Sequence, residues 1–142
     1  MAELSSEIHE AISQLSAEGD ALAGRGGYEA AIEKYNAAWA LVPEPKSNWN
    51  ASTWLMGAIG DAAFLGGYLT SAQEALEYAM HCPDGFGNPF IHLRLGQVLY
   101  DKGELDRAGD ELTRAYMAAG DEIFAAEEPK YRTFLAMRAK LK

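Results

Sequence analysis

A chain of 142 residues with 49% hydrophobic content is long enough to fold as one domain around its own core. Its 12 basic residues against 21 acidic ones leave a formal charge of −9, which repels nucleic acid at long range and attracts a basic partner. The single cysteine, Cys82, excludes an internal disulfide, and with no second thiol at metal-ligand spacing it reads as a semi-buried structural thiol.

From the start of the chain, Met1 to Ser5 lack the basic stretch and apolar run of a secretory signal. No segment reaches the ~20 apolar residues of a membrane span, so a cytoplasmic protein without membrane contact is expected. Ser5 or Ser6 is a suitable N-cap for a first helix that carries Ile8, Ile12, Leu15 and Leu22 on one stripe. A second helix runs from about Tyr28 to Leu41, and the prolines of the segment 42–50 end it in a loop that bears Trp49. Helices follow from about Ala51 to Leu65 and from Thr70 to Met80, with Thr70 or Ser71 able to cap the latter. Cys82 to Pro89 is the next breaker, and Pro89 suits the first turn of a helix that ends near Asp101. Another helix spans Leu105 to Ala119, and Asp121 is placed to cap a short turn from Glu122 to Ala126. Pro129 opens a last helix whose inner stripe is Tyr131, Phe134, Leu135 and Met137 or Arg138.

Three of these helix pairs share a register. Gly19, Gly60 and Gly96 are followed at fixed spacing by Gly26, Gly67 and Gly103, then by Ala31, Ala72 and Ala108. Further on come the large apolar Tyr35, Leu76 and Leu112, then Ala38, Ala79 and Ala115. The first glycine lets two helix backbones approach, the second suits a left-handed exit from the first helix, and the alanines line the face where the pair touches. This order of glycine, small residue, large apolar residue and alanine resembles the roughly 34-residue tetratricopeptide pattern. Pro43 falls at that pattern's closing proline, Pro83 falls one residue short of it, and Gly120 replaces it in the third copy. Relative to the pattern, about seven residues are inserted between the first two copies and about two between the last two. The pattern's tryptophan is replaced by Leu15, Met56 and His92, the last expected as a semi-buried packing histidine.

The resemblance implies an all-α solenoid of helical hairpins in a single domain, 1–142, with repeats at about 6–43, 51–83 and 89–120. The helix at about 129–141 would cover the bare face of the last hairpin. In such a stack the first helix of each hairpin lines the concave side. The resemblance places Ser13, Ser16, Asp20 and Ala23 there from repeat one, and Trp54, Gly57, Asp61, Phe64 and Leu65 from repeat two. Repeat three adds Phe90, Leu93, Gln97, Tyr100 and Asp101. The expected groove is aromatic and acidic, fit for a basic protein partner. Two of its aromatics, Phe64 and Phe90, are expected to pack between neighbouring helices. Chaperone co-factors of this kind hold acidic tails with lysine and asparagine, but the corresponding positions here are Ser16, Asp20, Gly24, Gly57, Asp61, Leu65, Leu93, Gln97 and Asp101, which excludes such a clamp. Trp49 on the inserted loop is a second candidate contact, either an anchor or a lid over the repeat below. The candidate partner-binding residues are thus Asp20, Trp49, Trp54, Asp61, Phe64, Phe90, Gln97, Tyr100 and Asp101.

No catalytic, cofactor or metal site is expected. Gly24 to Gly27 and Gly85 to Gly87 neither follow a strand nor end in a phosphate-loop lysine, and His9, His81 and His92 lack helical metal-pair spacing. The acidic pairs Glu127-Glu128, Asp110-Glu111 and Glu104/Asp106 read as solvated faces or helix starts.

The stretch from Gly87 to Gln97, with Leu105 to Met117, Glu122 to Phe124 and Pro129 to Leu135, resembles small bacterial tetratricopeptide proteins encoded beside Rhs-type polymorphic toxins. That resemblance implies an immunity protein: a monomer forming a 1:1 complex with a basic toxin domain that acts on nucleic acid or a nucleotide. The alternative is a generic scaffold or secretion-chaperone adaptor that cradles an extended peptide.

Overall fold

Residues 4–139 are described by a computed structural model, and all of their regular structure is helical. Ser5 caps the first helix, α1 (Ser6–Gly24), by accepting the Ile8 N–H at 3.3 Å. The chain then turns into α2 (Tyr28–Ala40). After the inserted loop, with its short 3-10 turn at Lys46–Asn48, come α3 (Asn50–Leu65) and α4 (Leu69–Ala79). The third pair is α5 (Pro89–Asp101) and α6 (Leu105–Ala119), followed by a 3-10 turn at Asp121–Phe124 and by α7 (Pro129–Ala139). The part of the expected closing helix beyond 139 lies outside the described residues.

Each hairpin is built the same way. A Cβ added at Gly19 would meet the Tyr35 ring at 2.6 Å, at Gly60 the Leu76 side chain at 2.5 Å, and at Gly96 the Leu112 side chain at 2.7 Å. The first glycine of every repeat is therefore the socket for that repeat's large residue. Gly26, Gly67 and Gly103 have φ of +81°, +87° and +84°, the left-handed exit expected of the second glycine. Ala31, Ala38, Ala72, Ala79, Ala108 and Ala115 are buried where the paired helices touch. The second helix of each hairpin also packs on the first helix of the next, so the three pairs stack in sequence order.

Local chemistry departs from expectation at two caps. Neither Thr70 nor Ser71 caps α4, which starts one residue earlier behind Tyr68 without a side-chain bond. Asp121 does not cap its turn either; its carboxylate pairs with Arg132 of α7, and Gly120 makes the corner. Asn88 does cap α5, accepting from the Phe90 and Ile91 amides at 2.9 and 3.2 Å ahead of Pro89 in the first turn.

The inserted loop is ordered by its own polar groups. Lys46 Nζ donates to the Trp39 and Val42 carbonyls at 2.7 and 2.8 Å, closing the end of α2 with a cation where the helix dipole favours one. Thr53 Oγ1 donates to the Pro83 carbonyl at 2.6 Å and so ties α3 to the second breaker. At the far end, Tyr131 and Leu135 of α7 join Leu93, Leu112, Ala115 and Phe124 in a separate apolar cluster. Met137 is 79% exposed and is no part of that stripe; Arg138 lies against Gly109 instead and pairs with Asp106.

Candidate functional site

Arg94, which the repeat pattern marks as neither core nor groove, organises the concave face. Its side chain is 9% exposed. The guanidinium stands 5.3 Å from the Phe64 ring centre and 5.0 Å from that of Phe90. Nε donates to Asp61 Oδ1 at 2.7 Å, while Nη1 donates to Gln97 Oε1 at 2.7 Å and to Glu127 Oε1 at 2.6 Å. Gln97, fully buried, donates from Nε2 to the same Glu127 oxygen at 2.9 Å. Burial opposes the charge on Arg94, but the two carboxylates outweigh it and hold the guanidinium above its ordinary pKa. Asp61, Phe64, Phe90 and Gln97 are thus brought together around one cation, with Glu127 as a fifth member. The expectation of a solvated Glu127 is corrected: its side chain is 16% exposed because the segment 121–128 crosses the concave end of repeat three and carries it onto Arg94.

The same segment and α7 cover the rest of repeat three's inner face. Leu93 is buried under the Phe124 cluster. Tyr131 donates from its hydroxyl to both Asp101 oxygens at 3.0 and 2.9 Å, and its ring meets those of Tyr100 and Phe64. Phe134 packs edge-on against Tyr100 at 5.0 Å. Phe64 and Tyr100 are therefore the packed aromatics. Phe90, expected to be packed, is 39% exposed: Arg94 lies on its ring, but it stands at the mouth of an open pocket at the start of α5.

What stays open is the concave side of the first two repeats and its junction with the start of repeat three. Trp54 is 42% exposed and stands with Phe90 at a pocket of about 460 Å³ whose floor is Gly57, Ala58 and Ile91. Asp61 and Asp84 are its carboxylates. Asp20 lies further along on α1, where its Oδ1 accepts from Tyr35 at 2.6 Å. Trp49 is folded down: its Nε1 donates to the Pro43 carbonyl at 2.8 Å and its ring packs half-buried on the core, with a second hollow between it, Pro45 and Cys82.

Elsewhere the polar residues are structural. His92 is 1% exposed; the Gly87 amide donates to its Nε2 at 2.9 Å, so the proton sits on Nδ1 and is shared with Glu111 at 2.6 Å. Glu111 was also expected on a solvated face, and this bond is what draws it inward. Burial raises the Cys82 thiol pKa, which makes it a poor nucleophile. Among the described residues no group of three or more His, Cys, Asp or Glu could hold a metal ion, and no helix is long and apolar enough to cross a membrane.

Stacked hairpins with glycine sockets and a closing helix define a tetratricopeptide-type solenoid, three repeats plus a C-terminal cap. Solved structures of the same fold include the Yersinia enterocolitica type III secretion chaperone SycD in complex with a peptide of the translocator YopD, at 21% identity and a TM-score of 0.71, covering 98% of each chain. Another SycD structure, of the same bacterium's translocator chaperone, matches at 18% identity and 0.69, over 91% of this chain and 90% of that one. The second TPR domain of human RPAP3, in complex with the HSP70 peptide SGPTIEEVD, matches at 19% identity and 0.70, over 95% of this chain and 99% of that domain. No protein-family model matches the sequence, and no curated protein is similar to it in sequence.

Proposed function

We propose that this chain is a non-catalytic protein-binding module that receives its partner on the open part of the concave side, at the junction of repeats two and three. The observation that carries this reading is Trp54, a large aromatic left 42% exposed at a pocket while Phe64 and Tyr100, at the other end of the same face, are covered by the chain itself. Exposed aromatics beside a preformed hollow are the usual anchors of protein interfaces. Neutralisation of a basic toxin domain in a 1:1 complex is the finer reading, supported by the resemblance to immunity proteins and by the charge of −9. The residues of that resemblance, Arg94, Gln97, Tyr131, Phe134 and Leu135 among them, face inward, so they bear on the architecture of the closing segment more than on contact with a toxin. Co-expression with the toxin domain encoded beside the gene tests it: wild type should rescue growth and Trp54→Ala should not. Growth arrest with the wild-type protein present overturns the immunity reading.

A chaperone or adaptor role is the second reading, favoured by neighbours that were solved holding peptides of YopD and of HSP70. An acidic peptide such as SGPTIEEVD does not suit a surface that presents Asp20, Asp61 and Asp84. Titration with a peptide of the partner distinguishes the two readings, since an adaptor binds an isolated segment and an inhibitor of a folded domain does not.

A further inference from the structure

The pocket beside Trp54 has aromatic walls and a carboxylate rim. Trp54 and Phe90 stand half open on its sides, and Gly57 at its floor leaves room, since a Cβ there would find only Ile91, at 4.0 Å. Asp61 gives Oδ1 to Arg94, while Asp84, exposed in a left-handed conformation at φ 58°, belongs to the opposite breaker loop. No lysine or arginine lines the hollow. Arg94 supplies one positive charge behind it against the two carboxylates Asp61 and Glu127, so that cluster keeps a net negative charge to which Asp84 adds another.

Resting on the protein-binding reading above, we infer that this pocket takes a lysine or arginine side chain of the partner. The aliphatic stem lies between Trp54 and Phe90 and the charged head sits on the rim formed by Asp61 and Asp84. An uncharged apolar anchor would fill the same space but would strip water from carboxylates without replacing it. A basic side chain packs its apolar stem against the rings and gains a charge-assisted hydrogen bond at the rim. An acidic side chain is repelled by the rim.

Random dodecapeptides displayed against the full chain, with Trp54→Ala as the counter-target, test this. Peptides retained only by the wild type should share one basic residue. Replacing that residue by norleucine should weaken binding about tenfold or more in calorimetry. On the double variant Asp61→Asn, Asp84→Asn the basic and norleucine peptides should bind alike. Asparagine keeps the oxygen that Arg94 holds and tolerates the left-handed backbone at 84, so the variant should fold, as thermal unfolding checks. Peptides that need Trp54 but bind equally well with norleucine overturn the inference and leave the protein-binding reading intact. A screen that yields no peptide dependent on Trp54 overturns the inference and the adaptor reading with it, while the immunity reading stands or falls by the co-expression test.

Discussion

Arg94 Nε donates to Asp61 Oδ1 across 2.7 Å, joining the third hairpin to the second through a cation that also holds Glu127 of the closing segment. Three parts of the chain distant in sequence meet at that one guanidinium. Replacing Arg94 by Met keeps the contact with Phe64 and Phe90 but leaves two carboxylates facing each other without a cation. A loss of about 3 kcal/mol is expected in urea unfolding. Adding Glu127→Gln should restore about 1 kcal/mol or more of it, and purely additive effects would show that the cluster does not act as a unit.

The socket glycines make a sharper test of the hairpin. Gly60→Ala drives a methyl into Leu76 and should cost about 1–3 kcal/mol, partly recovered by Leu76→Ala in the same chain. Gly67→Ala meets nothing within 4 Å, yet it forces alanine into φ +87° and should cost about 1 kcal/mol with no recovery from any neighbour. Thermal melts of the three variants separate crowding from backbone strain.

His92 holds the second breaker loop by accepting the Gly87 amide and donating to Glu111. His92→Phe fills the space but leaves the partners of both bonds unmatched, with about 1–3 kcal/mol lost. Amide hydrogen exchange at Gly87 should quicken in this variant; unchanged protection there would show that the loop is held by something else.

Alkaline pH should unfold the protein through its buried phenols. Burial first, and then the bond to Asp20, raises the Tyr35 pKa; burial and Asp101 do the same for Tyr131. A phenol whose pKa is higher folded than unfolded holds its proton more tightly in the native state. Its stabilising share is complete below the unfolded value of about 10 and is lost as pH rises toward the folded one. Urea midpoints measured upward from about pH 9 should fall less steeply in Tyr35→Phe and Tyr131→Phe than in wild type, with tyrosinate absorbance tracking the loss.

Trp49 and Trp54 should behave in opposite ways. Trp49→Ala removes a packed indole and its bond to Pro43, and about 2–3 kcal/mol of stability with them. Trp54→Ala should change the melting curve little, by less than about 1 kcal/mol, while abolishing partner binding. A strongly destabilised Trp54→Ala would mean that the ring belongs to the fold and not to an interface.

The fold could be read from the chain because its grammar is local. Glycine, alanine and large apolar residues recur at spacings that serve one hairpin at a time, so each repeat declares itself. The concave face could be read only in part. Asp61, Phe64, Phe90 and Gln97, which the repeat register assigns to the groove, meet instead around Arg94, and Asp61 and Glu127 reach it from more than thirty residues away along the chain. Nothing in the spacing marks Glu127 as an inward residue; it stands beside another glutamate, two residues before a proline, in a stretch that resembles solvated chain. Exposure of Phe90 and burial of Tyr100 follow from the same fact, since the closing segment covers one end of the face and stops short of the other.

A consequence for the life of the protein in a cell follows from the meeting of Glu127 with Arg94. A chain broken off before residue 127 would still carry all three hairpins, but Arg94 would lose one of its two counter-charges and Gln97 its buried acceptor, and the apolar faces of Leu93 and Tyr100 would be open to water. Such a fragment would present the features that proteases and chaperones act on. The closing segment is thus a part of repeat three's interior and not an appendage to it: its carboxylate and its aromatic rings supply the charge and the cover that the third hairpin cannot supply for itself.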